Sequence, residues 1–90
     1  MITVAFKSIP ENWKKEFLGL KKNTIRVTNQ DNDVRFEHLR DFEDGNIKRL
    51  VIEIINTETK ESFRRLVSDV TTTTELIKCN HKHCYLISWF

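Results

Sequence analysis

The sequence is poor in the residues that punctuate or staple a chain. It has two glycines and one proline, which argues against a flexible linker or a low-complexity tail, since both are rich in these residues. Two cysteines, Cys79 and Cys84, are too few for a disulfide framework. No stretch approaches the run of about eighteen apolar residues that a membrane span requires. The opening "MITVAFKSI" is too short and too polar for a secretory leader. These absences lead to the expectation of a cytoplasmic protein with no membrane partner. The formal charge of +2 is too small for an extended DNA footprint, but it leaves room for a local basic surface.

What the chain does have is apolar bulk. Six phenylalanines, two tryptophans and one tyrosine contribute to a hydrophobic share of 39% over 90 residues. That length fits one small domain, residues 1–90, with a core that has to use each large side chain well.

Alternation in "ITVAF" predicts a strand over residues 2 to 6, with Ile2, Val4 and Phe6 on one face. "SIPENWKKEFLGL" predicts a helix over residues 9 to 18. Ser8 and Glu11 have capping-box spacing, Pro10 suits the first turn, and Trp13 and Phe17 share a face with Leu20 beyond them. Gly19 is placed to end that helix in the left-handed conformation. "TIRVT", residues 24 to 28, reads as a strand, and "NQDND" as a polar turn. Residues 34 to 42, "VRFEHLRDF", fit a helix capped by Asn32 or Asp33 and fit a bent strand equally well. "EDG" and "TETK" are turns. Between them lies the clearest strand, with Leu50, Ile52 and Ile54 on one side, and "SFRRLVSDV" is its expected antiparallel partner. "TTTTELIK" either begins a helical turn at Glu75 or continues extended. "CYLISWF" closes the chain as a strand in which Tyr85, Ile87 and Trp89 alternate with Leu86 and Phe90. The expected fold is therefore α+β: a small, mostly antiparallel sheet curled toward a barrel, with one or two short helices.

"GLKKNTIR", residues 19 to 26, resembles the signature of the ASCH domain family, whose fold is PUA-like. "FEDG" at 42 to 45, "VIEI" at 51 to 54 and the final "YLISWF" are also similar to members, so the resemblance spans most of the chain. The Gly-Asp pair that members usually carry after the motif is absent, and "VRFEHLRDF" stands in its place. The resemblance implies a cleft beside the helix that binds RNA or a modified nucleoside. One branch of the family consists of small amidohydrolases acting on N4-acetylcytidine through a lysine, a threonine and a later glutamate. By motif position these are Lys21 and Thr24. Glu75 is the candidate for the glutamate, with Glu53 behind it.

The chemistry of these residue types agrees with such a site. A threonine hydroxyl needs a neighbouring base or a lysine to become a nucleophile, and a carboxylate can carry the proton to a leaving amine. Lys21, Lys22 and Arg26 would give a basic cleft, and Trp13 or Trp89 a surface on which a base stacks. The plainer reading makes Thr24 a strand residue, the lysines solvated charges at a helix end and the tryptophans core. Lys48, Arg49, Arg64 and Arg65 either widen the basic surface or lie as solvated residues opposite Glu53, Glu58 and Glu61. "CNHKHC", residues 79 to 84, has zinc-ligand types in a spacing that suits zinc poorly, so no metal or other cofactor is expected. Three functions follow. They are RNA or modified-nucleoside binding, amide hydrolysis on an N4-acylated cytidine, and a phage-type regulator that binds a protein partner.

Overall fold

The computed structural model describes residues 1–27, 33–73 and 84–90. The elements run β1 (Ile2–Ser8), α1 (Pro10–Phe17), β2 (Asn23–Val27), α2 (Val34–Glu43), β3 (Leu50–Asn56), β4 (Ser62–Thr73) and β5 (Cys84–Trp89). They form one five-stranded sheet in the order β1-β3-β4-β5-β2. The β1–β3 pair is parallel, and the other three are antiparallel. The α+β, mostly antiparallel curled sheet read from the sequence is therefore observed. The parallel pair exists because the chain leaves β1, builds α1, β2 and α2, and only then returns beside β1 as β3.

The core follows the alternation of the strands. Val4 and Phe6 of β1, Leu50, Ile52 and Ile54 of β3, Phe63, Val67 and Val70 of β4, and Tyr85, Ile87 and Trp89 of β5 are all buried. Register shifts between Val67 and Asp69 in the β4–β5 ladder, and such an irregularity bends a strand and increases its twist. That bend helps the sheet curl.

Residues 34 to 42 resolve as helix. The Asp33 carboxylate accepts the Arg35 backbone N–H at 3.0 Å, which satisfies a free first-turn donor. Phe36 and Leu39 of α2 enter the core, and Glu43 ties its far end to β4 by accepting the Thr72 N–H and hydroxyl. The expected Ser8–Glu11 capping box does not form. Ile9 is the N-cap of α1 and makes no side-chain cap bond. Ser8 instead continues β1, and its hydroxyl is used elsewhere. α1 packs through Trp13, whose indole N–H donates to the Ile54 carbonyl at 3.0 Å and whose ring stacks on Phe17 at 5.2 Å.

The turn expected at "TETK" is present. The buried Asn56 side-chain oxygen accepts the N–H groups of Glu58 and Thr59. Cys84 is fully buried and is not a free thiol. Glu75 and the rest of "CNHKHC" lie outside the described residues. Among the described residues no helix is long and apolar enough to cross a membrane, and no cluster of ligand-type side chains could hold a metal.

Candidate functional site

β1 and β2 are the two edge strands of the sheet, and the curl brings them face to face across a seam. One side chain bridges it. Arg26 of β2 donates through Nη1 to the Lys7 carbonyl at 2.8 Å and through Nη2 to the Ser8 hydroxyl at 3.0 Å. Its Nε donates to the Thr24 hydroxyl on its own strand at 3.1 Å. Arg35 of α2 donates to the next edge carbonyl of β1 on the same side, that of Ala5, at 3.0 Å. Both guanidinium groups lie over the Phe6 ring, at 5.0 and 4.6 Å from its centroid, a favourable placement for a cation. Two arginines thus satisfy edge carbonyls that a closed barrel would pair with backbone.

Arg26 divides the seam. On one side is a cavity of about 720 Å³ lined by Ala5, Phe6, Asp33, Arg35, Phe36 and Ile55. On the other is one of about 470 Å³ lined by Ser8, Ile9, Asn12, Lys21 and Thr24. Lys7, Ile25, Arg26 and Val27 line both. Each volume falls in the range of small-molecule sites.

The second compartment owes its residues to the end of α1. Gly19 has φ +77°, a conformation that glycine adopts without steric cost. Its N–H bonds to the Glu16 carbonyl, and the Leu20 and Lys21 N–H groups both bond to that of Lys15. This closing turn folds the chain back and carries Lys21 over the last turn of the helix. The Lys21 ammonium sits 3.7 Å from the Glu16 carboxylate.

Glu16 is the unexpected member. Its side chain is fully buried, and neither carboxylate oxygen has a hydrogen-bond partner among the described residues. An ionised carboxylate in that position is costly unless charge compensates it, and Lys21 and Arg26 supply the compensation. Burial lowers the proton affinity of Arg26 below the ordinary arginine value, Glu16 offsets that, and Arg35 adds to it. Arg35 has its own counter-charge. Its Nη2 lies 2.6 Å from Asp33, and that bond raises the Arg35 pKa and lowers that of Asp33.

Among the residues singled out from the sequence, Lys21, Thr24 and Arg26 come together in one compartment. Lys22 is exposed and does not line either cavity. Trp13 is half-buried and also lines neither, with its ring against Phe17 and Phe63. Trp89 is buried in the core. Glu53 is on β3 facing away from the core, where it accepts the Ser62 hydroxyl at 2.8 Å and pairs with Arg64 at 3.8 Å. Arg65 lies over Phe63. Sequence reasoning missed Glu16 and Ser8. Glu16 did leave a signal: positions 13, 16, 17 and 20 form one helical stripe, and an acid among Trp13, Phe17 and Leu20 is out of place on an apolar face.

The shape is one that nucleic-acid-binding α+β domains use, and it agrees with the curled sheet that the ASCH resemblance implies. No protein-family model matches the chain, and neither a curated protein nor a solved structure does.

Proposed function

We propose that the β1–β2 seam is a nucleoside-binding cleft, with the base entering the compartment lined by Lys21 and Thr24. One observation carries this reading: the Arg26 guanidinium spends its Nε and both terminal nitrogens inside the protein, on Thr24, Lys7 and Ser8. Arg35 is likewise held by Asp33 and Ala5, and Lys21 faces Glu16. A groove that tracks a phosphate backbone needs cations free to meet it. Lys7, which lines both compartments, is an exposed cation there, but a cleft whose two arginines and Lys21 are matched internally suits a neutral base held by a few placed polar groups. RNA would then be bound through an unpaired nucleotide, as in loop and end recognition.

The test is a calorimetric titration of the protein with the four ribonucleosides and with a short unstructured RNA, at low and at moderate salt. The proposal expects saturable binding of at least one nucleoside with little salt dependence, weakened by Lys21→Ala and by Thr24→Val. Binding of RNA alone, with a steep salt slope, would favour a phosphate-tracking surface instead.

A second reading, amide hydrolysis, is supported by the Thr24 hydroxyl. It accepts from Arg26 Nε, a cationic donor that favours the alkoxide, and Lys21 lines the same compartment. In that reading Thr24 attacks the acyl carbon, Lys21 promotes the attack, a carboxylate takes the hydroxyl proton and returns it to the departing amine, and water then cleaves the acyl-threonine ester to release the acid and restore Thr24. Glu75 would fill that last role. Incubation with N4-acetylcytidine followed by chromatography decides it. Cytidine should form with the wild-type protein and not with Lys21→Ala, and no product from folded protein leaves binding alone.

A further inference from the structure

We infer that the Ser8 and Thr24 hydroxyls recognise a carbonyl oxygen of the base, acting as a pair of donors whose role Arg26 sets. This rests on the nucleoside-binding reading above. Each hydroxyl oxygen accepts an N–H from the same guanidinium, Ser8 from Nη2 at 3.0 Å and Thr24 from Nε at 3.1 Å. A hydroxyl that accepts from a cation still has its own proton to donate. Among the described residues neither proton has an acceptor. Ser8 and Thr24 are 7% and 4% exposed, and a buried donor left without an acceptor is costly. Both residues line the smaller compartment, which is where a ligand can supply the acceptor.

The rest of that wall narrows the chemistry. Among the described residues no carboxylate lines the compartment. Lys7, Lys21 and Arg26 can only donate, and apart from the two hydroxyls the Asn12 amide brings the one side-chain oxygen. A wall of donors is complemented by acceptors on the ligand. Nε and Nη2 are bonded to one carbon, so the two hydroxyls are held by neighbouring nitrogens of a single rigid plane. A carbonyl oxygen has two lone pairs and can accept from both hydroxyls. An amino group in the same place would turn N–H against O–H, which is a heavy penalty in a buried site. Uracil, cytosine, guanine and hypoxanthine each carry a carbonyl. Adenine carries none.

The test is a titration of the wild-type protein, of Ser8→Ala and of Thr24→Val with inosine and adenosine, two purine nucleosides that carry an oxo and an amino group at the same ring position. The inference expects the wild-type protein to bind inosine about tenfold or more tightly than adenosine. It expects each substitution to bring that ratio toward one. A hydroxyl that served only to hold the seam together would weaken both nucleosides alike and leave the ratio unchanged.

Equal binding of the two by the wild-type protein, or a ratio that survives in both variants, overturns the inference and leaves the cleft standing. Inorganic phosphate is the competitor, because its oxygens also suit a wall of donors. Phosphate that displaces inosine at equal concentration replaces the carbonyl by an oxyanion and overturns the inference as well. Should Ser8→Ala fail to fold, Thr24→Val and the wild-type ratio decide. Should neither purine bind, uridine against 2-thiouridine and 4-thiouridine takes their place, since sulfur is a weak acceptor. One thio analogue should then bind about tenfold or more weakly, and undiminished binding of both overturns the inference. Failure of every nucleoside to bind the wild-type protein overturns it together with the cleft reading beneath it.

Discussion

Replacing Arg26 by methionine keeps an unbranched apolar stem over Phe6 and removes both hydrogen bonds that Arg26 makes across the seam, to Lys7 and Ser8. Ser8 and Thr24 are 7% and 4% exposed, so their hydroxyls would lose a charge-assisted partner with little access to water. A buried polar group left in that state costs about 1–3 kcal/mol. Lys7 is exposed, and its carbonyl can turn to solvent. Relief of the arginine's own desolvation returns part of the loss, so the net effect should be about 2–4 kcal/mol. A chain of 90 residues has roughly 5–13 kcal/mol of stability in all, at about 0.05–0.15 kcal/mol per residue, so the change would be large. The assay is urea unfolding followed by tryptophan fluorescence, with the midpoint falling and the slope unchanged. A second substitution sharpens the test. Ser8→Ala should destabilise the wild-type protein yet be neutral or stabilising in the Arg26→Met background, because it removes the orphaned hydroxyl. A loss below about 0.5 kcal/mol for Arg26→Met, within the range of ordinary surface changes, would refute the claim that this arginine joins the two edges. Additive behaviour of the pair would refute the Ser8–Arg26 contact.

Two further perturbations follow from the same contacts. Asp33→Asn keeps an N-cap for α2 but loses the charge facing Arg35, whose bond holds the Asp33 pKa below the ordinary carboxylate value. A depressed folded-state pKa stabilises above the unfolded value of about 3.9 and loses that stabilisation as pH falls through the folded one. The unfolding midpoint of the wild-type protein should therefore exceed that of Asp33→Asn at pH 7, and the gap should close as the pH falls below the unfolded value. Gly19→Ala should cost about 1 kcal/mol from its positive φ alone, since an added Cβ would meet only Lys22 Cε at 3.8 Å, and it should also weaken nucleoside binding by shifting Lys21.

The strands were legible because burial follows alternation. In β3 and β5 every second residue enters the core, and the sequence shows that directly. α2 was not separable from a strand by periodicity, and what decides it is Asp33, whose carboxylate serves both the Arg35 backbone and its guanidinium. Ser8 was misread for a related reason. Its spacing to Glu11 is a local signal, but the hydroxyl is claimed by Arg26, eighteen residues away, through a contact that exists only once the sheet has curled. The convergence of Lys21, Thr24 and Arg26 was legible because all three flank one glycine turn. The direction of the Arg26 donors was not, since sequence gives a residue's charge without showing whether its bonds go outward or inward. The carboxylate nearest to Lys21 comes from the preceding helix, where helical spacing hid it among aromatic residues.

The cleft reading is tested most directly by mapping the four ribonucleosides, one at a time, onto the backbone amides of the ¹⁵N-labelled protein. Shifts that saturate with ligand and concentrate on the stretches holding Lys7, Ser8, Asn12, Glu16, Lys21 and Thr24 to Val27 are the expected result. Shifts centred on Arg64 and Arg65, or none with any of the four at millimolar concentration, would contradict the assignment of the seam.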